Sequence, residues 1–596
     1  MQTAIEEYIR RHDDRQRVAS ARERTHARLG NAKMAIVVGA LGYGAFTLGG
    51  EPQLVVYVSA ASVYLAIAVW HELTIRALAR ANAAARFYLD GIARIEDRWI
   101  GIGQTGERFR ERDHPYADDL DLFGDGSLFQ LLSGARTPMG EERLASWLRR
   151  AATPSEIALR HARVSALREN VDLRERIAVV NAGSARRMAP DRLMAWAATA
   201  ATLPRARALV ILMAVAFVAT LVLFLRGGGA LPMGFTLLAE AGLVAWLGRR
   251  ANAVVESLSS ATGAAGLDLL SRVIREVEHE RVPDADLAAL FGRLTAAGPP
   301  AARASQAIAA LARIADWSDS RHNVFTRLLE IPALYTLQVA YAAEAWRRRY
   351  GASMADWVEV VAETEALLSI SGYAFEHPAD PFPAIVEQAE ALFEGNDVGH
   401  PLIPAATAVR NSVTLGGPSQ VLLVSGSNMA GKSTLLRTVG LNVVLALAGA
   451  PVRAATLTLS PLALGTCLRH TDSLHEGRSG FYTEVLRLRL VSDLLDGPAP
   501  LVFLFDELLS GTNSSDRRIA AEGIVRSMVE RGAIGMVTTH DLALTEIANV
   551  LPGRVRNVHL QDHVEDGKMR FDYKLRDGVI EHSNALELMR MIGLDV

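Results

Sequence analysis

The run Val421-Leu-Leu-Val-Ser-Gly-Ser-Asn-Met-Ala-Gly-Lys-Ser-Thr434 constrains the fold more than any other stretch, because it fits the phosphate-binding spacing GxxxxGK followed by Ser or Thr. Residues 421–424 read as an apolar strand and 435–447 as a helix, which frames the loop between a strand and a helix start. Gly426 and Gly431 permit a turn whose backbone N–H groups face phosphate oxygens. Lys432 can reach the β- and γ-phosphates, Ser433 offers a hydroxyl to Mg²⁺, and the following helix points its positive end at the anion. Ser427, Asn428, Met429, Ala430 and Thr434 complete the candidate ATP-binding loop.

A second apolar strand, 501–505, ends in Asp506-Glu507, the form of a Walker B element. Asp506 would hold Mg²⁺ directly or through water, and Glu507 would polarise the attacking water as general base. A third strand, 534–538, ends in Thr539-His540-Asp541. Three strands then deliver polar groups to one carboxyl edge, where α/β sheets bind ligands. His540 is placed there to sense a γ-phosphate and orient the water. Between the first two strands a polar loop, 473–484, runs into a helix. Its N-terminus could present Ser479 to an anion or be a solvated cap, and spacing leaves both open.

With 596 residues the chain has room for about four domains. Its 63 basic and 66 acidic residues give a net charge of −3, so any DNA contact must use local patches. The single cysteine, Cys467, excludes an internal disulfide framework and a CxxC metal site, and its apolar surroundings favour a buried thiol. A reducing compartment fits.

A mean hydropathy of +0.15 beside 22% charged residues requires apolar side chains to be concentrated. They lie in four segments, 34–50, 54–70, 208–225 and 230–247, which read as two membrane hairpins. A helix of about 18 residues is ~27 Å long, close to the hydrocarbon thickness. Glu240 makes the fourth segment the weakest. Burial inside a large soluble core is the alternative. Arginines flank every outer end, among them Arg28, Arg76, Arg205 and Arg249, whereas the hairpin tips are nearly free of positive charge. Four spans with those flanks put both termini and the nucleotide domain in the cytoplasm. About thirty polar residues precede the first apolar run, unlike a cleavable signal peptide.

Residues 1–33 read as a charged helix, and 73–112 as a helical arm continuing the second span. The region 121–206 is helical, with Thr137 able to cap a helix whose first turn holds Pro138. Residues 251–393 are again helical, interrupted at 298–300 and 377–383. Beyond 395, short strands alternate with helices. The expected architecture is an α/β P-loop NTPase domain of the ABC type at the C-terminus, preceded by an all-α core and lever region interrupted by two transmembrane hairpins. The boundaries are 1–120, 121–206, 207–248, 249–395 and 396–596.

The C-terminal third resembles the MutS family of DNA mismatch-repair ATPases. Gly426-Ser-Asn-Met-Ala-Gly-Lys-Ser-Thr434 is similar to the family's GPNMGGKST, Glu476 to Glu484 to its GRSTFMVEM segment, Phe505 to Thr512 to its MDEIGRGT, and Thr538-Thr-His540 to its ATH switch. Residues 128–148 look like the start of its core domain, and His400-Pro401 like the start of its ATPase domain. The resemblance implies Lys432 on phosphate, Ser433 and Asp506 on Mg²⁺, Glu507 as hydrolytic carboxylate, His540 as switch, and Ser479 acting in trans across a homodimer. It also implies DNA as a partner, in mismatch repair or recombination.

Departures qualify that implication. The family's adenine-stacking aromatic is missing from Ala408-Val-Arg-Asn411, although Tyr573 matches the other base-packing position. A membrane hairpin replaces the mismatch-reading domain, and Phe109-Arg-Glu111 is a coincidental likeness to the mismatch wedge. The expected function is a membrane-anchored, MutS-like ATPase whose nucleotide cycle moves helical levers, with the lipid bilayer as a partner and the protein partner open. The alternatives are an ABC-like transport ATPase, against which the missing LSGGQ element stands, and a nucleotide-controlled scaffold without DNA.

Overall fold

A computed structural model describes residues 3–46, 54–180, 188–261, 263–296, 303–321, 330, 332–417, 419–427, 429–468, 480–509, 513–565 and 568–579. In chain order the helices up to the first strand are α1 (Ala4–Phe46), α2 (Leu54–Ile95), α3 (Leu128–Leu132), α4 (Pro138–Arg149), α5 (Pro154–Leu167), α6 (Val171–Val179), α7 (Pro190–Ala198), α8 (Arg207–Leu225) and α9 (Leu231–Ala261). They continue with α10 (Ala264–Glu278), α11 (Ala285–Ala296), α12 (Ala304–Ser320), α13 (Tyr335–Tyr350) and α14 (Met354–Glu376). The interruption expected at 298–300 lies outside the described residues. The chain divides into two compact units: Met1–Ile92, Ala135–Gly140 and Asn170–Glu365 in one, and Ala93–Gly134, Glu141–Glu169 and Ala366–Val596 in the other.

The first unit is helical. Helices α1 and α2 run antiparallel, as shown by the ring contacts Tyr8 to Tyr88, His26 to His71 and Tyr43 to Tyr57. At their polar end the Tyr88 hydroxyl donates to Glu175 of α6, and Arg15 Nε lies 2.7 Å from the same carboxylate. Helix α10 buries Leu267, Leu270, Ile274 and Val277, a spacing of three to four residues that lays one stripe against a neighbour. Thr137 caps α4 as its sequence suggests, accepting from Gly140 N at 3.2 Å. The Glu365 carboxylate adds a contact that local sequence does not reveal, accepting from Arg136 N at 2.9 Å and Thr137 N at 3.2 Å. Gly140 is required there, since a Cβ would stand 2.2 Å from Glu365 Oε2.

The four apolar segments fall on α1, α2, α8 and α9, save residues 47–50, which lie outside the described residues, and each helix is long and apolar enough to cross a membrane by length and composition. Their side chains take little part in the protein's own core. Only 6% of the most apolar window is buried in α1, α2 and α8, and 17% in α9. Leu212, Val215 and Val218 of α8 are exposed.

In the second unit the expected arm ends early. Helix α2 stops at Ile95, because Asp97, Gly101, Gly103 and Gly106 adopt left-handed backbone conformations that a helix cannot continue through. Phe109 then turns inward, 5% exposed, against Phe123 and Phe129 with ring centroids at 5.9 and 5.5 Å. It is a core anchor and not an exposed wedge.

The strands and their helices are β1 (Ala384–Ile385), β2 (Phe393–Val398), β3 (Asn411–Leu415), β4 (Val421–Ser425), α15 (Lys432–Ala448), β5 (Thr456–Leu459), β6 (Ala463–Cys467), α16 (Gly480–Asp493), β7 (Leu501–Asp506), α17 (Ser514–Glu530), β8 (Ile534–Thr539), α18 (Ile547–Val550), β9 (Val555–Glu565) and β10 (Lys568–Asp577). One sheet has the order β1-β5-β2-β3 and the other β10-β9-β4-β8-β7-β6. In the larger sheet only the β9–β10 pair is antiparallel. Every residue of β4, β7 and β8 is buried, as expected for parallel strands covered on both faces. Cys467, at the end of β6, is buried, and desolvation pushes its thiol pKa upward.

Candidate nucleotide site

Strand register sets the site. Ser425 of β4 lies opposite Thr539 of β8, and Thr538 of β8 opposite Asp506 of β7, so three adjacent carboxyl ends share one edge. The ends of β4 and β8 lead into the phosphate loop and His540, and that of β7 into Glu507.

Two glycines shape the loop. Gly426 has φ 153° and a Cβ there would meet Leu560 O at 2.8 Å, while Gly431 has φ 91° and a Cβ would meet the Tyr573 ring at 2.9 Å. Helix α15 starts directly after Gly431 with no side-chain cap, so its first-turn N–H groups have no side-chain acceptor at the cap. The Ser427 hydroxyl is buried without a hydrogen-bond partner among the described residues. An uncapped helix start, a buried hydroxyl and a cradle that excludes a Cβ fit a phosphate group. Ser433 and Thr434 line the adjoining cavity on the first turn of α15, with Met429 exposed at the loop crest and Ala430 buried beneath it. Asn428 and Ser479 lie outside the described residues.

Lys432 is buried, and its Nζ donates to the Gly426 and Ser427 carbonyls at 2.9 and 3.0 Å. Burial lowers its pKa, opposed by the charges of Glu507 and Asp506. Its Nζ stands 3.7 Å from Glu507 Oε1, and His540 Nδ1 stands 3.4 Å from Glu507 Oε2. Glu507 is thereby held between a cation and an imidazole. It adopts a left-handed backbone conformation, φ 50°, a strain of about 1 kcal/mol of the kind that collects at functional sites. The Glu507 N–H donates to Thr538 Oγ1 at 3.1 Å, and the Thr538 hydroxyl donates to Asp506. One threonine therefore orients both acidic residues.

The residues fit a magnesium nucleotide. Asp506 is almost fully buried at a strand end and Ser433 sits on the phosphate helix, and these two would supply the protein oxygens for Mg²⁺. Magnesium keeps several waters and nucleotide oxygens, so it needs no larger protein cage. Its chemistry there is to neutralise charge developing on the phosphates.

A cavity of about 430 Å³ opens beside the loop, bounded by Thr407, Ala408, Val409, Met429 and Tyr573. Tyr573 is 42% exposed, packs over Gly431 and has φ 55°. Asn411 fixes this turn by donating from Nδ2 to Tyr573 O and accepting from Leu575 N, both at 2.9 Å. The wall at Ala408 is aliphatic, so among the described residues the rings lining the cavity are the Tyr573 phenol and the His400 imidazole.

Sequence reasoning missed several supports. Glu484 of α16 accepts from Leu509 N at 2.5 Å, just after the Asp506-Glu507 pair. Arg487 of the same helix donates to the Thr466 and His114 carbonyls at 2.9 and 2.6 Å and pairs with Asp119 at 3.4 Å. Glu484 ended a recognised block, so a signal existed; Asp119 belongs to no motif. His400, in the cavity wall, is held neutral, its pKa pushed down to about 4 by burial and by Arg437.

Comparison with known proteins now locates this arrangement. Residues 422–595 match MutS domain V. That domain is a P-loop ATPase, and the C-terminal part of the chain is MutS-like. Over 203 residues the chain is 36% identical to Endonuclease MutS2 of Thermus thermophilus, covering 33% of this chain and 25% of the relative. Over 255 residues it is 29% identical to DNA mismatch repair protein MutS of Shouchella clausii, covering 42% and 29%. Endonuclease MutS2 of Thermomicrobium roseum is 32% identical over 205 residues, 33% of this chain and 24% of that protein. The chain spans about a quarter of the length of these curated relatives.

Proposed function

We propose that the chain is a membrane-anchored, MutS-like ATPase that couples Mg²⁺-dependent ATP binding and hydrolysis to rearrangement of its helical region. The observation that carries this reading is the placement of Lys432 and His540 on opposite oxygens of Glu507, beside a nucleotide-sized cavity ending at Tyr573. In this reading Glu507 is the general base, His540 orients the water, Lys432 holds phosphate, and Ser433 with Asp506 holds Mg²⁺. Ser479 acts in trans on the nucleotide of a second copy, which makes the working form a homodimer.

DNA is the proposed substrate class because the relatives are named as mismatch-repair protein and endonuclease. The first unit supports the membrane part, since four helices present apolar side chains that the protein's own core does not cover. Arg28, Arg76, Arg205 and Arg249 flank the proposed spans, which supports a topology with both termini and the ATPase on the cytoplasmic side.

The test uses purified full-length protein in phospholipid nanodiscs. Duplex or branched DNA should stimulate Mg²⁺-dependent ATP hydrolysis, and the stimulation should fall as salt rises, because phosphate contacts release counterions. Stimulation by a transported solute would replace this reading with an ABC-like transporter. Hydrolysis indifferent to both would leave a nucleotide-controlled scaffold.

A further inference from the structure

Glu240 lies on α9, nine residues after Leu231. That is about 14 Å along the helix, near the middle of a hydrocarbon layer about 30 Å thick. The side chain has no exposed surface, and neither carboxylate oxygen has a hydrogen-bond partner among the described residues. Helix α8, packed against α9, carries no charged residue between Arg207 and Arg226, and α9 carries no other between Leu231 and Gly248. Helices α7, α12 and α13 also pack on α9, but none of their charged groups bonds to the carboxylate. On α13, Glu344 is engaged by Thr202 N and Leu203 N at 2.6 and 2.9 Å and by Arg347 and Arg348.

The polar groups nearest along the hairpin are hydroxyls whose protons are already committed. Thr236, one turn before Glu240 and also buried, donates to Pro232 O at 2.9 Å. Thr220 of α8, with Oγ1 3.5 Å from Thr236 Oγ1, donates to the Ala216 and Phe217 carbonyls at 3.0 Å. What remains on this stripe is oxygen lone pairs. An ionised carboxylate buried with no donor and no cation costs several kcal/mol, so its charge must be neutralised from outside. A set made only of oxygens suits a small hard cation.

We propose that Glu240, with Thr236 and Thr220, forms a cation-exchange site inside the second hairpin, occupied by a proton or an alkali-metal ion. The inference rests on the membrane reading of α8 and α9. Intramembrane carboxyls without a structural partner mark ion and proton sites, and this one is fully buried.

Full-length protein in phosphatidylcholine vesicles is treated with dicyclohexylcarbodiimide, which reacts with protonated carboxyls in apolar surroundings, and the α9 peptide is read by mass spectrometry. An adduct on Glu240, completely lost in Glu240→Gln, is the expected result. Slower labelling in sodium chloride than in choline chloride identifies an alkali-ion site, and equal labelling identifies a proton site. Absence of the adduct from wild-type protein that resists alkaline carbonate extraction overturns the proposal. Release of the protein by carbonate overturns the membrane reading instead, so the two failures are separable.

Discussion

His540 Nδ1 stands 3.4 Å from Glu507 Oε2 across the ends of adjacent strands, the one residue half exposed and the other one-quarter exposed. A carboxylate oriented from one side by an imidazole and from the other by Lys432 is positioned to take a proton from water, provided it stays ionised.

Glu507→Gln should lower ATP turnover by about 10²–10⁴-fold, the range for loss of a general base, with little change in nucleotide affinity. Single-turnover hydrolysis and fluorescent-nucleotide binding measure the two separately. Wild-type turnover in the variant would remove the assignment.

Tyr573→Ala should weaken ATP binding by about 1–3 kcal/mol, the usual worth of an aromatic–base stack, because among the described residues the only other ring in the cavity wall is the smaller imidazole of His400. Tyr573→Phe should retain most of the affinity. Equal losses in both would point to the hydroxyl and not the ring.

Phe109→Ala should destabilise the second unit by about 3–5 kcal/mol, since Phe109 is buried against Phe123 and Phe129. Its effect on DNA preference should be nil once folded protein is compared at equal concentration. A changed preference for mismatched over matched duplex would restore Phe109 as a wedge.

Burial raises the Glu365 pKa from its ordinary 4.5 to about 7, against the lowering effect of hydrogen bonds from Thr137 and Arg136. The folded state then holds a proton that the unfolded state has released between pH 4.5 and 7. This stabilisation is full below about 4.5 and is lost as pH rises through about 7, a change of roughly 3 kcal/mol. Denaturant midpoints of Glu365→Gln across that window should show a flatter pH dependence than wild type. Parallel curves would rule out Glu365 as the source.

Legibility in the sequence followed chemistry. Strands β4, β7 and β8 could be located because each apolar run ends in residues with a recognisable role, Gly426, Asp506 and His540. Strand β3 alternates buried and exposed residues, a period-two signal five residues long. Strand β2, Phe393-Glu-Gly-Asn-Asp-Val398, is too polar to be read from pattern and is paired on both sides by β3 and β5. The end of α2 depends on left-handed Asp97, a state that the identity of an aspartate does not dictate. Thr538 was read as part of a motif, but its hold on both Asp506 and Glu507 emerges only from strand register.

Helix α1 runs from Ala4 to Phe46 without a break, 43 residues in one rod of about 65 Å. A rod has few ways to absorb a rotation. Turning its apolar end by five degrees would sweep the Tyr8 end, about 57 Å away, through about 5 Å, close to one helical turn of travel. The angle at which the first hairpin sits in its surroundings is therefore legible at its far end. A spin-label pair bridging Tyr8 and Glu175 would report on that angle without any probe on the apolar segment.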